Sequence, residues 1–163
     1  MKLNILIDED GNARLADFGL LIFVSDPTNP TVSSSYAPAG TTRWMSPELL
    51  DPEQFGPKDG RPTKESDCYA LGMVIYEVLS GKTPFALDRD YVVMRKVLEG
   101  KRPERPQGVE GVRFTDYLWH ILQLCWAHRP EGRPTIEVVL ESLGPVPAGW
   151  NPPDMLRAVH DLS

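Results

Sequence analysis

The residues best suited to chemistry are two oxygen-bearing side chains near the start of the chain, Asn4 and Asp17. Asp17 opens an Asp-Phe-Gly sequence, continued by Phe18 and Gly19, of the kind that makes a sharp turn. Amide and carboxylate oxygens are hard ligands that suit Mg²⁺ bridging the phosphates of a nucleoside triphosphate. The alternatives are an Asn that caps a turn and an Asp whose carboxylate accepts hydrogen bonds from loop amides. The pair favours a magnesium–phosphate site.

Three further segments follow in a fixed order. Residues 40–48 read Gly-Thr-Thr-Arg-Trp-Met-Ser-Pro-Glu, and residues 66–72 read Ser-Asp-Cys-Tyr-Ala-Leu-Gly. Near the end, Cys125 and Trp126 precede the Gly-Arg-Pro-Thr sequence of residues 132–135. Any one of these strings is weak on its own, but their order and spacing together are highly specific.

The elements that must position these residues begin with a small hairpin. Residues 4–8 and 13–16 are short apolar runs, and the intervening residues 9–12 include Asp-Gly, a strong hairpin signal. Residues 20–39 are rich in Ser, Thr and Pro without periodicity, which predicts a long loop. The hydroxyl groups of that loop are candidates for phosphorylation, although such loops are more often simply flexible.

Apolar spacing predicts four helices after the loop. The first, capped by Ser66 and ending at Gly81, is apolar on most faces and so belongs in the middle of a domain. The other three helices are predicted over residues 90–98, 115–126 and 134–143. Their expected inward-facing residues are, in the same order, Val93, Met94, Val97 and Leu98; Leu118, Ile121, Leu122 and Cys125; and Ile136, Val139, Leu140 and Leu143.

Composition bounds the class of protein. The chain has 163 residues, of which 41% are hydrophobic and 25% charged, which is typical of one globular domain. The net charge of −6 favours neither nucleic acid nor an anionic membrane as a partner. No membrane span or signal peptide is predicted, and Cys68 and Cys125 are expected as small buried residues in a reducing compartment. We therefore expect an intracellular, soluble protein.

Together the motifs resemble the C-terminal lobe of a protein kinase, beginning in the middle of its catalytic loop. The resemblance implies a mainly α fold with a small N-terminal β-hairpin, the C-lobe of the α+β protein-kinase-like fold, with the N-lobe absent. Residues 1–145 would form the partial kinase domain and residues 146–163 a Pro-rich tail with a short amphipathic segment. The Cys-Trp ending is similar to tyrosine kinases, whereas Thr41 is similar to serine/threonine kinases. A tyrosine-kinase-like serine/threonine kinase satisfies both features.

The resemblance implies roles for residues of the nucleotide site. Asn4 and Asp17 resemble the two metal ligands, and Leu6 resembles the residue beneath the adenine ring, although a strand Leu is more often plain core. Phe18 and Gly19 resemble the structural residues that link the metal loop to the core. ATP and Mg²⁺ are the cofactors that the family uses.

The resemblance also implies a substrate-binding strip, which we call the substrate shelf: Thr41, Trp44, Met45 and Pro47. Thr41 resembles the residue that hydrogen-bonds the catalytic base, and the other three resemble the surface that accepts the residue after the phosphoacceptor. Ser46 replaces the Ala usual in the Ala-Pro-Glu motif, which is a small change.

Three charged residues resemble structural positions of the family. Glu48 and Arg133 resemble a buried ion pair that ties the activation segment to the last helices; the alternative is two unrelated surface charges. Asp67 resembles the helix-start residue that anchors the catalytic loop. A helix N-terminus favours an Asp in any protein, so simple dipole complementarity is a serious alternative.

The expected activity depends on which active-site segments of the kinase family this chain contains. The catalytic base, the Gly-rich loop and the strand lysine of the family all precede the Asn4 position, so we expect no catalytic base in this chain, an isolated chain that is inactive, and poor ATP binding. The enzyme hypothesis is ATP-dependent phosphoryl transfer to Ser/Thr of a protein substrate. The alternative is a pseudokinase-like binding module that docks kinase partners or substrates.

Overall fold

The computed structural model describes residues 5–10, 13–16, 41–55, 60–111 and 113–144. The chain divides into two compact units, Met1–Tyr36 and Ala37–Ser163, and each is treated by itself. The predicted loop and the predicted Pro-rich tail lie outside the described residues, so both stay predictions.

A two-stranded antiparallel hairpin is the described part of the first unit. Strand β1 is Ile5–Ile7 and strand β2 is Ala13–Leu15. The Asp8 carboxylate accepts a hydrogen bond from the Asp10 backbone N–H at 3.1 Å, and it pairs with the Arg14 guanidinium at 2.9 Å. The predicted hairpin is confirmed, with strands slightly shorter than the apolar runs.

The second unit is helical. Its longest helix begins earlier than predicted, because Thr63 rather than Ser66 is the N-cap. The Thr63 hydroxyl accepts the Ser66 backbone N–H, and the Ser66 hydroxyl accepts the Thr63 backbone N–H at 2.9 Å, which makes a capping box. Gly81 ends the helix with a φ of 70°, as predicted for a glycine stop. The helices are α1 (Pro47–Leu50), α2 (Pro52–Phe55), α3 (Lys64–Ser80), α4 (Asp90–Leu98), α5 (Gly108–Gly111), α6 (Asp116–Cys125) and α7 (Ile136–Ser142), with 3-10 turns at Thr42–Trp44 and Pro130–Gly132.

The core forms where α3 packs on α6. A β-carbon added at Gly72 would lie 2.6 Å from Trp126 Nε1 and 2.9 Å from the Cys125 Cβ, so only glycine allows this approach. The central position predicted for α3 is confirmed. The core side chains are Trp44, Cys68, Tyr69, Met73, Val93, Val97, Phe114, Tyr117, Ile121, Leu122, Cys125, Trp126 and Val139.

Helix α4 has the predicted bounds but a narrower inward face. Val93 and Val97 are wholly buried, whereas Met94 is 37% exposed. Successive residues are rotated by about 100° around a helix, so Met94 cannot share the face that Val93 and Val97 occupy. The prediction that Met94 points inward is wrong.

Helix α7 differs more from its prediction. Leu140 and Leu143, predicted to face inward, are 62% and 41% exposed. Val139 is buried as expected, but Ser142 occupies the second inward position. The Tyr117 hydroxyl donates a hydrogen bond to the Ser142 carbonyl at 2.5 Å, which fixes this face against α6. A polar contact therefore replaces the expected leucine contact.

Within the described residues, no helix is both long enough and apolar enough to cross a membrane.

Candidate functional site

The two predicted metal ligands, Asn4 and Asp17, and the predicted structural residues Phe18 and Gly19 lie outside the described residues. Leu6 is described and lies on β1 with 56% of its surface exposed. In the described parts of the chain, His, Cys, Asp and Glu form no group of three that could hold a metal ion. The magnesium site and the adenine contact therefore stay predictions.

The substrate shelf runs without interruption from Thr41 to Pro47. The Trp44 backbone N–H donates to the Thr41 carbonyl at 3.0 Å, closing a 3-10 turn, and the Trp44 side chain is buried. Met45 is half-buried, and Pro47 is buried as the first residue of α1. The structure thus brings the four predicted shelf residues into one short, ordered strip.

Arg43, which the sequence did not single out, attaches this strip to the turn before α4. Its guanidinium donates to the carbonyls of Pro84 at 3.0 Å and Phe85 at 2.6 Å, and also to the carbonyl of Asp88 at 2.6 Å. It also forms an ion pair with Asp90 at 3.0 Å. The available signal was its place in the motif, between Thr41 and Trp44.

The turn that Arg43 binds is strained at Phe85. Phe85 has a φ of 53° and is the one residue other than glycine, among those the structure describes, with a positive φ. This left-handed conformation is uncommon for a bulky side chain. Charge-assisted hydrogen bonds from Arg43 to Pro84 and Phe85 offset that strain.

Glu48 and Arg133 form a buried, two-pronged ion pair, as the resemblance implies. The two guanidinium nitrogens lie 2.6 and 2.8 Å from the two carboxylate oxygens. The side chains are 1% and 0% exposed. Arg133 also donates to the Glu65 carbonyl at 2.9 Å and the Ala127 carbonyl at 3.0 Å. One side chain therefore joins α1, α3 and the segment after α6, and the surface-charge alternative is excluded.

Burial by itself raises the pKa of Glu48, but the hydrogen bonds and the positive charge of Arg133 outweigh it. The net result is a pKa below the ordinary value of 4.5. The carboxylate is therefore charged at neutral pH, as the pairing requires.

A second guanidinium lies in the same buried region. The ring of Tyr69 has the guanidinium carbons of Arg133 and Arg102 at 5.1 and 5.2 Å from its centre, within the range of cation–π attraction. Tyr69 is wholly buried, and burial raises its pKa to about 12. The phenol therefore stays neutral and gives both cations an aromatic surface.

Arg102 is held by carbonyls and by a histidine. It donates to the Trp126 carbonyl at 2.8 Å, and its Nη2 lies 3.3 Å from His128 Nδ1. Arginine has no acceptor, so this His128 nitrogen accepts the bond and carries no proton. Burial, together with the charge of Arg102, lowers the pKa of His128, in agreement with a neutral ring.

Asp67 lies in the first turn of α3, where its side chain is exposed. Among the residues that the structure describes, no hydrogen-bond or ion-pair partner of the Asp67 carboxylate is found. Its position suits the helix dipole as well as the predicted anchoring role. Both alternatives therefore stay open.

Comparison with known proteins places the chain in a family. The model of the protein tyrosine and serine/threonine kinase family matches residues 2–143. That match covers the shelf and both members of the ion pair. The chain belongs to the protein kinase family. Its helical unit is accordingly the C-lobe of a kinase domain, as the motifs predicted.

Individual relatives include both serine/threonine and tyrosine kinases. A probable serine/threonine-protein kinase of Dictyostelium discoideum is 30% identical over 88% of this chain. Receptor-interacting serine/threonine-protein kinase 3 of Rattus norvegicus is 30% identical over 82%, and cytoplasmic tyrosine-protein kinase BMX of Mus musculus is 31% identical over 88%. This kinase chain spans 14%, 28% and 20% of the length of those three relatives.

Proposed function

We propose that this chain is the substrate-binding lobe of a tyrosine-kinase-like serine/threonine kinase, which transfers the γ-phosphoryl group of ATP to a protein hydroxyl. The observation that carries the proposal is the ion pair of Glu48 with Arg133. It holds α1 against α3, and the shelf residues Trp44 and Met45 lead directly into α1. Phosphoryl transfer depends mostly on positioning, so a rigid shelf is what the reaction asks of this lobe.

Each shelf residue has a distinct role in this proposal. Thr41 would orient the catalytic base, and Trp44, Met45 and Pro47 would accept the residue after the phosphoacceptor. Burial of Trp44 and Pro47 fixes the backbone of the strip, and Met45, which is only half-buried, has surface left to contact a substrate. Arg43 adds a second anchor, to the turn before α4.

Asn4 and Asp17 would hold Mg²⁺ in the kinase, and their oxygen donors fit that ion. Magnesium supplies charge neutralisation between the β- and γ-phosphates when it is bound. Leu6 would contact the adenine ring, and its side chain on β1 has exposed surface for that contact. Phe18 and Gly19 would link the metal loop to the core, and Asp67 would anchor the catalytic loop of the kinase.

The isolated chain should not catalyse the reaction measurably. Its 163 residues contain neither a His-x-Asp sequence nor a G-x-G-x-x-G sequence, so base and phosphate cover must come from elsewhere. A transfer assay with γ-labelled ATP and a general protein substrate tests this directly. Turnover by the purified chain would overturn the proposed division of parts.

The second candidate, a binding module, is favoured by an apolar stripe at α4. Tyr91 and Met94 are 66% and 37% exposed and lie three residues apart on one side of α4, and Leu87, in the turn before α4, is 102% exposed. A protein partner, either a kinase or a substrate, would bury these side chains. An intracellular location fits both candidates, and the related BMX is named a cytoplasmic kinase.

The DNA sequence upstream of the Met1 codon separates the two candidates. An in-frame stretch that encodes a His-x-Asp sequence and a Gly-rich loop supports the enzyme. In-frame stop codons close to Met1 support a binding module that acts by itself.

A further inference from the structure

Helix α7 carries an exposed apolar row along one side. Leu140 and Leu143 are 62% and 41% exposed, and Ile136 is only partly buried. Spacings of three and four residues bring these side chains together on a helix, and we call them the α7 row. Val139 and Ser142, which are buried, occupy the neighbouring side. The α7 row is therefore apolar surface that borders the packed face of the helix.

The chain leaves α7 at a point from which it can return along this row. Pro145 follows Gly144, and a proline disfavours helical backbone in the residue before it. Residues 145–154 form a linker that includes Pro145, Pro147, Pro152 and Pro153. A Pro-rich linker spans about 3.1 Å per residue, so residues 145–154 reach about 30 Å, whereas α7 is about 10 Å long. The linker is long enough to place the next segment beside α7.

That next segment, residues 155–162, has an apolar pattern of the same spacing, and we call it the tail segment. Met155, Val159 and Leu162 recur at intervals of four and three residues, which places them on one side of a helix. Arg157 and Asp161 fall on the opposite side. A helix this short is marginally stable by itself in water, so the tail segment needs an apolar surface on which to pack.

The small size of the α7 row favours a segment of the same chain over a second copy. Stable association of two proteins buries about 1,200–2,000 Å² in total, which is well beyond what three side chains offer. A segment joined through a short linker binds at an effective concentration on the order of millimolar, and so needs less contact area. The tail segment is therefore the occupant that fits this surface.

We propose that the tail segment folds back as a short helix and packs Met155, Val159 and Leu162 on the α7 row. Burial of apolar surface on both sides provides the driving force. Arg157 and Asp161 then face solvent. The contact goes beyond the proposed function, because it involves neither nucleotide nor protein substrate.

The docked tail would act on the shelf anchor through the start of α7. Thr135 is the N-cap of this helix, and its hydroxyl accepts the Val138 backbone N–H. Arg133 lies directly before Pro134 and Thr135, and it pairs with Glu48. A tail that stabilises α7 therefore also limits motion of the backbone that carries Arg133.

Hydrogen exchange of the whole chain, measured by peptide mass spectrometry, tests the proposal. We expect the amides of residues 155–162 to exchange about tenfold more slowly than in a synthetic peptide of that sequence. Leu140→Lys should remove this protection, whereas Leu87→Lys, at a side chain that is 102% exposed before α4, should retain it. Lysine has a helix propensity close to that of leucine, so α7 should stay folded. Exchange at the rate of the free peptide, or equal protection in Leu140→Lys and the wild type, would overturn the proposal.

A variant in the tail segment makes the test independent of changes within α7. Val159→Lys should remove protection of residues 155–162 and speed exchange over residues 136–143. Arg157→Ala, on the opposite side of the segment, is the matched control and should do neither. Equal exchange over residues 136–143 in these two variants would contradict the contact.

Cross-linking identifies the surface that the tail segment touches. A photoreactive benzoylphenylalanine placed at Leu156, which borders the apolar side, should cross-link to the peptide that contains Leu140 in the same chain. Cross-links to α4, or products of twice the mass that join two chains, would refute docking on the α7 row.

Discussion

Glu48→Gln is the perturbation whose effect the structure defines best. The substitution keeps the shape of the side chain but removes the charge opposite Arg133, whose side chain is 0% exposed. The guanidinium presents two N–H donors to two carboxylate oxygens at 2.6 and 2.8 Å. A carboxamide offers one acceptor and one donor, so one of these bonds becomes a contact between two donors.

The cost follows from the charge that remains. Breaking one partner of a buried ion pair costs about 3–5 kcal/mol, because the other charge stays buried without compensation. For a chain of this size, that corresponds to a fall in melting temperature of about 6–20 °C. The second cation in the region, Arg102, lies near the same Tyr69 ring and offers no relief.

Urea unfolding followed by circular dichroism measures the change in the free energy of unfolding. Asp116→Asn is the matched control, since it removes an ion pair with Arg105 whose side chains are 79% and 33% exposed. Exposed pairs contribute about 0–1 kcal/mol. If Glu48→Gln costs no more than Asp116→Asn, the ion pair is not the anchor of this lobe and the reasoning fails.

Three other predictions test neighbouring parts of the structure by the same measurement. The free energy of unfolding should fall as the pH drops below 4.5, the ordinary pKa of Glu48. Because the pKa of Glu48 is lower in the folded chain, its charge contributes stability that is complete above pH 4.5 and is lost as the pH falls through the folded-state pKa. Glu48→Gln should make this decline shallower, and an unchanged decline would contradict the prediction. Gly72→Ala should cost about 1–3 kcal/mol through overpacking, against a smaller effect for Gly132→Ala, where the nearest atom is 3.3 Å away; equal costs would refute the close approach of α3 and α6. Arg43→Met should lower the free energy of unfolding by about 1.5–3 kcal/mol, because the turn before α4 loses its hydrogen bonds. The same substitution at the exposed Arg89 should change stability little. Hydrogen exchange should show faster exchange near Phe85 in Arg43→Met.

Apolar spacing and terminal glycines predicted the bounds of helices well. The bounds of α4 follow from its apolar spacing, and Gly81 marks the end of α3 because only glycine readily takes a positive φ there. The prediction that Leu140 faces inward is wrong, because Val139 and Ser142 take the buried positions of α7, where the Ser142 carbonyl accepts a hydrogen bond from Tyr117, a residue remote in sequence. Such long-range polar contacts leave no periodic trace.

The candidate site likewise contains contacts that the sequence predicted and contacts that it did not. Motif resemblance predicted the Glu48–Arg133 pair, since both residues sit in recognisable strings. It did not predict the contacts of Arg43 or the guanidinium of Arg102 beside Tyr69, because each depends on a chain path that no local pattern specifies. Arg43 acts through three backbone carbonyls, whose positions depend on tertiary structure and not on side-chain identity.

Phosphoryl transfer by the polypeptide that includes the sequence encoded upstream of Met1 is the decisive test of the proposed kinase activity. The assay follows label from γ-labelled ATP into protein for the wild type, for Asp17→Asn and for Glu9→Gln, an exposed carboxylate on the hairpin turn that serves as the matched control. We expect transfer by the wild type and by Glu9→Gln, and only background transfer by Asp17→Asn. Wild-type transfer by Asp17→Asn, or none by the extended wild type, would contradict the assignment of this chain as the substrate-binding lobe of an active kinase.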